Sequence, residues 1–406
     1  MYLNFAWRYF KAKKSANAIN IIAWVTTGVI AFATCCQILV LSVFNGFEGL
    51  VTAMYSSFYS DLKISPIKGK TIILDAASIK SLQQNPFIAH FSLIAEEKAL
   101  LQNGTYQSVV QLKGVDQNYT AVCNLPSKII NGTFNTGDRE KPLLVMGSGI
   151  QYASGISLNP AFGPETLTII LPKSNVVSND PLASLSEGNA TAAGAFSIQQ
   201  DFDNSYAITN IDFIKQQTDM KDDEYSAVEI KLKPGVDETL AIEELKKTIG
   251  KNGVVKNRFQ QNASLYNTMK IEKWAIYSVL TLILIIAAFN MISALTMLVL
   301  EKKTDIIILK SMGASEAQIR KIFLSEGLLL GGIGAGIGIA MAVIICMLQL
   351  QFKLIGLQGG SFIIDYFPVK MIAQDFILVV VTALFIVTLA SWFPARKAAR
   401  QALMGG

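Results

Sequence analysis

The chain has 406 residues, 51% of them hydrophobic and only 16% charged, with 35 Lys and Arg against 30 Asp and Glu for a formal net charge of +5. An ordinary soluble domain carries about 25% charged residues, so the deficit points to lipid, and no nucleic-acid partner is expected. His90 is the only histidine and the four cysteines show no C-x-x-C or zinc spacing, which excludes a His-based metal site, a Ser-His triad and a disulfide scaffold.

Residues 1–18 form a basic segment with Arg8, Lys11, Lys13 and Lys14 and no acidic residue, and an apolar run follows over 19–44. A cleaved signal peptide has an apolar stretch of about 7–15 residues ending in small residues. This run is longer and closes on Ser42-Val43-Phe44-Asn45-Gly46-Phe47-Glu48, and Phe32-Ala33-Thr34 before Cys35 is no lipobox. It reads as a retained first transmembrane helix.

Residues 45–270 have soluble composition and read as an α+β domain. Strands are predicted over 61–66, 70–74, 92–101, 106–114, 143–146, 166–171, 196–199 and 227–232, and helices over 75–84 and 238–249. Asn103-Gly104 between two strand-like runs is a hairpin-turn signal. Lys173–Ala195, rich in Ser, Asn, Ala and Gly without apolar period, reads as a long loop, either functional or a plain surface excursion.

Three further apolar runs close the chain: 271–300, whose start can stand out of the membrane as a stalk, then 321–350 and 371–393. Each meets or passes the roughly 20 residues that cross a bilayer. Lys302, Lys303, Lys310, Arg320 and Lys321 in and beside the 301–320 loop, and Arg396, Lys397 and Arg400 in the 394–406 tail, outweigh Lys353 and Lys370 in the 351–370 loop. Short basic loops stay in the cytoplasm, so both termini and the 301–320 loop lie inside and 45–270 lies outside.

Several motifs have bland readings. Gly69-Lys70-Thr71 mimics the end of a phosphate loop, but Ile64 stands where that loop needs its first glycine. Gly327/Gly331, Gly332/Gly336 and Gly334/Gly338 in the third span have the spacing that lets helix backbones approach closely. Asn290, midway along the second span, reads as a hydrogen bond between helices. No charged residue lies deep in a span, which argues against an ion-coupled carrier.

The segment Leu300–Ser315 reads as a short amphipathic helix stopped by Gly313 on the cytoplasmic face. A solvated loop has no need of Ile306, Ile307, Ile308 and Leu309, which fit a helix lying at the interface or docking into a partner's groove.

Ala287–Ser293, the Glu301-Lys302 to Gly313-Ala314-Ser315 stretch, Ile322-Phe323-Leu324-x-Glu326-Gly327 and the Ser42–Glu48 run resemble the lipoprotein-releasing permeases of the LolC/LolE type, within the FtsX/MacB superfamily. The resemblance implies a type VII ABC permease-like fold of four transmembrane helices with a large periplasmic α+β domain between the first two, in the inner membrane. It implies a non-catalytic subunit that pairs with a second permease, homo- or heteromeric. A cytoplasmic ATPase dimer binds the ATP and Mg, so this chain needs no cofactor of its own. The coupling role carries over to Lys303, Thr304, Asp305, Ile306, Leu309, Lys310, Met312 and Gly313. The lipid and substrate cavity carries over to Val43, Phe44, Phe47, Met269 and Ile271. Recruitment of a periplasmic lipoprotein carrier falls by position on the 173–195 loop, at Lys173, Pro181 and Leu182. An FtsX-type regulator of a cell-wall hydrolase and a MacB-like efflux permease are the alternatives within the superfamily.

Overall fold

A computed structural model describes residues 17–159, 161, 163–173, 184–250, 253–357 and 366–401. Nearly all of the basic leader, together with Pro181 and Leu182, lies outside these. The chain divides into two compact units, one made of the long helices and one spanning residues 51–266.

The helical unit has four helices long and apolar enough to cross a membrane. The first span helix is Asn17–Tyr55, the second Ala263–Glu301, the third Glu316–Phe352 and the fourth Ala373–Gln401. The first runs well past the expected end at residue 44. Gly46, Glu48 and Gly49 dilute the apolar run there, but none of them breaks a helix as proline does. At about 1.5 Å per residue, a helix of 39 residues is far longer than the roughly 30 Å of hydrocarbon.

Small side chains bring the spans together. Ala23, Ile30 and Ala33 of the first, Ala287, Met291 and Leu295 of the second, Leu330 and Ala335 of the third and Ala383 and Val387 of the fourth share one buried cluster. A Cβ on Gly334 or Gly338 would sit 2.8 Å from the Thr27 carbonyl oxygen or 2.3 Å from that of Ala31, so this pair seats the third span on the first. A Cβ on Gly327 or Gly331 would strike Ser391 or Val387 of the fourth span. Gly332 and Gly336 face open space, so close packing accounts for two of the three glycine pairs. Gly338→Leu is therefore expected to destabilise the purified protein by about 1–3 kcal/mol, seen as a lower thermal midpoint, and Gly336→Leu to leave the midpoint unchanged. Asn290, read above as an interhelical tie, is exposed on the outward face of the second span.

The external unit is a mixed sheet flanked by helices. Its strands are β1 (Leu62–Pro66), β2 (Ile72–Ile73), β3 (Ile88–Asn103), β4 (Tyr106–Val115), β5 (Ile129–Gly132), β6 (Leu143–Gly147), β7 (Thr166–Pro172), β8 (Leu185–Phe196), β9 (Tyr206–Asn210), β10 (Glu224–Tyr225), β11 (Ala227–Leu232) and β12 (Gly253–Asn257). The main sheet runs β12-β1-β11-β3-β4-β9-β6-β8-β5, with β7 on β3 and β8. The β4–β9 and β6–β8 pairs are parallel and the others in this sheet antiparallel.

The Asn103-Gly104 turn joins β3 to β4 as expected, with Gly104 at a φ of 56°. Helix Ala76–Gln84 starts where the Asp75 carboxylate accepts the Ser78 N–H, and helix Glu238–Ile249 starts on Asp237. The expected 173–195 loop is mostly a hairpin arm. β8 occupies Leu185–Phe196 and pairs with β7, and the Lys173 N–H donates to the Ser184 carbonyl. The strand expected over 196–199 ends at Phe196, its first residue. The composition concealed β8 because its partners leave no room for large side chains. A Cβ on Gly194 would lie 2.4 Å from the Thr133 carbonyl oxygen.

Candidate functional site

On the cytoplasmic side the second span ends at Glu301 and a separate helix, Lys303–Ser311, follows at once. Asp305 in its first turn pairs with Lys302 at 3.2 Å, and Lys310 in its last turn pairs with Glu316 at 3.8 Å. Gly313, at a φ of 91°, closes the helix while the Ala314 N–H donates back to the Leu309 carbonyl. Ser315 then caps the third span, its hydroxyl accepting the Gln318 N–H while the Gln318 side chain accepts the Ser315 N–H. Every turn of the chain from 301 to 318 is thus fixed by a local hydrogen bond, and the helix is presented as a rigid element.

The two sides of this helix differ. Ile306 is 3% exposed and packs with Leu298 and Val299 of the second span, Ile319 and Phe323 of the third and Ala395 and Ala398 of the fourth. Burying such a side chain is worth about 1.5–3 kcal/mol, so Ile306 fastens the helix to three spans at once. Thr304, Ile307, Ile308, Ser311 and Met312 are exposed, and their i, i+3, i+4, i+7, i+8 spacing puts them on one stripe. Ile307, Ile308 and Met312 are 47%, 53% and 79% exposed. Of the residues expected to couple, Lys303, Thr304, Met312 and Gly313 lie on the open side, Asp305, Leu309 and Lys310 are half-buried, and Ile306 faces inward. The residue list drawn from the resemblance omits Ile307 and Ile308; the apolar run Ile306–Leu309 contains both, and the folded chain shows that these two face outward.

At the outer end of the spans, Val43, Phe44 and Phe47 are half-buried on the first helix, Met269 is half-buried on the second, and Ile271 is exposed. Phe47 is not an open cavity wall within this unit, because the Phe367 ring meets it edge-on at 5.7 Å between centroids. The backbone beside it is just as close. A Cβ on Gly46 would lie 2.2 Å from the Pro368 carbonyl oxygen. Gln349, at the end of the third span, accepts the Ile355 N–H and donates to the carbonyls of Ile355 and Phe367. Ile355 and Phe367 are thus both tied to the end of the third span, and the Asn45-Gly46-Phe47 run is a seat for the segment entering the fourth span.

In the external unit, Lys113 and Glu229 form a buried ion pair at 2.8 Å. The Lys113 ammonium also donates to the Tyr119 hydroxyl and sits 4.6 Å from the Phe58 ring centre. Burial, reinforced by Glu229, pushes the Cys123 thiol up to about 12. This cluster is a strut of the domain's fold.

A family model described as the FtsX-like permease C-terminal domain matches residues 277–403. The lipoprotein-releasing system transmembrane protein LolE of Haemophilus influenzae is 26% identical over 97% of this chain and 96% of that protein. LolC of the same system in Neisseria meningitidis is 26% identical over 97% of this chain and 95% of that protein, and LolC of Xylella fastidiosa (Temecula1) is 23% identical over the same shares. Among solved structures, the periplasmic region of MacB from Actinobacillus actinomycetemcomitans is 14% identical at a TM-score of 0.37, covering 52% of this chain and 95% of that one. The fold rests on the elements described above and not on that superposition. Four spans, a cytoplasmic helix between the second and third and a large domain after the first define an FtsX-like permease, a multi-pass inner-membrane protein whose large domain is periplasmic. Within that class, the chain is similar over nearly its full length to LolE and LolC of the lipoprotein-releasing system.

Proposed function

We propose that this permease lifts lipoproteins out of the inner membrane, driven by a separate cytoplasmic ATPase, and passes them to a periplasmic carrier. The exposed Thr304–Met312 stripe carries the proposal, because it is an apolar ridge on a helix bolted to three spans. An ATPase dimer docks on that ridge and holds the nucleotide and its Mg; this chain supplies no catalytic group. A second permease subunit faces the outward side of the second span. There Val279, Ile283, Ile286, Asn290, Ser293, Met297 and Leu300 are exposed at alternating steps of four and three. Such spacing builds a seam between helices, and a polar Asn in it sets register.

The work to be done is mechanical. Each buried methylene is worth about 0.8 kcal/mol, so a triacyl anchor resists extraction by on the order of 30 kcal/mol. No covalent chemistry lowers that figure; a collapsing apolar cavity and a carrier with its own apolar groove do. Val43, Phe44, Met269 and Ile271 line the proposed cavity, and the 173–195 segment, with Lys173, Pro181 and Leu182, is the proposed contact for the carrier. Support comes from full-length likeness to proteins of the lipoprotein-releasing system. Depleting the protein and fractionating the membranes is the test. Outer-membrane lipoproteins are expected to accumulate in the inner membrane, and an unchanged distribution would remove this function while leaving the fold in place.

A further inference from the structure

The second span carries a polar stripe at i, i+4, i+8 that faces into the helical unit: Lys273, Tyr277 and Thr281. Lys273 Nζ donates to Asn45 Oδ1 at 2.7 Å and pairs with Asp375 at 3.2 Å. Asn45, 2% exposed, uses its amide nitrogen in turn, donating to Asp375 and to the Lys370 carbonyl. One turn deeper, the hydroxyls of Tyr277 and Thr382 share a hydrogen bond, and a further turn down the Gln37 amide donates to the Thr281 hydroxyl. The Lys370 N–H closes the top by donating to the Ser42 carbonyl at 2.9 Å.

These ties join the first, second and fourth spans through residues 228, 330 and 244 positions apart in sequence. None of them touches the cytoplasmic helix. They occupy only the outer half of the second span, whereas its inner half packs through apolar residues such as Met291, Leu295 and Leu298. Interhelical polar ties in membranes average about threefold each in an equilibrium constant, so a ladder of them holds a position yet can be reopened.

We propose that Lys273, Tyr277 and Thr281, with Asn45, Asp375, Thr382 and Gln37, form a latch that positions the outer half of the second span during transport. The latch is closed in the arrangement described, and it opens when nucleotide binding on the partner displaces the cytoplasmic helix. Opening frees the outer half of the second span to swing while its inner half stays packed. Lys273, Asn45 and Asp375 are positioning residues: they touch no substrate. The inference rests on the proposed ATP-driven function, and it adds the device by which an inner push becomes an outer movement.

The test uses the full-length permease with its ATPase in nanodiscs, in wild-type, Asp375→Asn, Lys273→Met and charge-swapped Lys273→Asp/Asp375→Lys forms. Asn45 can rotate its amide to serve the swapped pair. Amide hydrogen exchange at Lys370 is the readout. Without nucleotide, each single variant is expected to exchange about fivefold faster or more than wild type, and the swap to return within about twofold of it. Wild type is expected to show the fast rate once a non-hydrolysable ATP analogue is bound. Wild-type exchange in the single variants, failure of the swap to restore protection, or an analogue without effect on wild type would each overturn the latch. Lipoprotein released per ATP, measured in parallel, judges the function separately: a wild type that hydrolyses ATP and releases nothing defeats the function, while the exchange rates still decide the latch.

Discussion

Replacing Ile308 with Asp is expected to detach the permease from its ATPase while leaving it folded and in the membrane. Ile308 is half exposed on a helix whose own packing is made by Ile306, so a charge at 308 meets water in the free subunit and costs the fold little. In the proposed complex the same carboxylate would be buried against the partner without a counter-charge. A central interface residue of this kind carries about 2 kcal/mol or more, which weakens association roughly 30-fold. Co-purification of the ATPase should fall away and its turnover should lose all response to lipoprotein, with the permease level unchanged. Ile306→Asp is the informative contrast. It places a charge among Leu298, Ile319, Phe323 and Ala395, so it should lower the amount of folded permease itself. If Ile308→Asp kept the ATPase bound with wild-type affinity, the exposed stripe would not be the docking surface.

Much of this architecture was legible because lipid imposes simple rules. Apolar runs long enough to cross and a lopsided distribution of Lys and Arg gave the spans and their orientation. The phase of the cytoplasmic helix was not legible. Ile306, Ile307, Ile308 and Leu309 are consecutive, so a helix of nine residues offers no apolar period, and the buried side is decided by neighbours as distant as Ala398. β8 was hidden for the opposite reason, since its glycines and alanines carry no apolar signal while their smallness lets neighbouring backbones close in. Asn45 shows a third kind of limit. The residues around it pointed to a family, but its partners Lys273, Lys370 and Asp375 lie hundreds of positions away, and only the folded chain brings them together.

Lys113→Ala is expected to be the most damaging single change in the periplasmic domain. Lys113 and Glu229 are 1% and 0% exposed, so removing the lysine leaves a carboxylate in the core. Breaking a buried pair from one side costs about 3–5 kcal/mol. Lys63 lies 3.9 Å from the same Glu229 oxygen and offsets part of that loss, which places the expectation near the lower end, at about 3 kcal/mol. Cys123 reports the outcome directly. It is buried, its Sγ is 3.6 Å from Glu229, and its raised pKa keeps it a thiol, so a maleimide reaches it only when the domain opens. Lowering the opening free energy by about 3 kcal/mol corresponds to roughly 100-fold faster labelling of Cys123 in membranes carrying Lys113→Ala. Removing both charges as Lys113→Met/Glu229→Leu should restore slow labelling, because an apolar replacement of similar volume leaves no orphaned charge. If the single variant labelled at the wild-type rate, the pair would be a passenger in the core. If the double variant labelled as fast as the single, shape at this junction would matter more than charge.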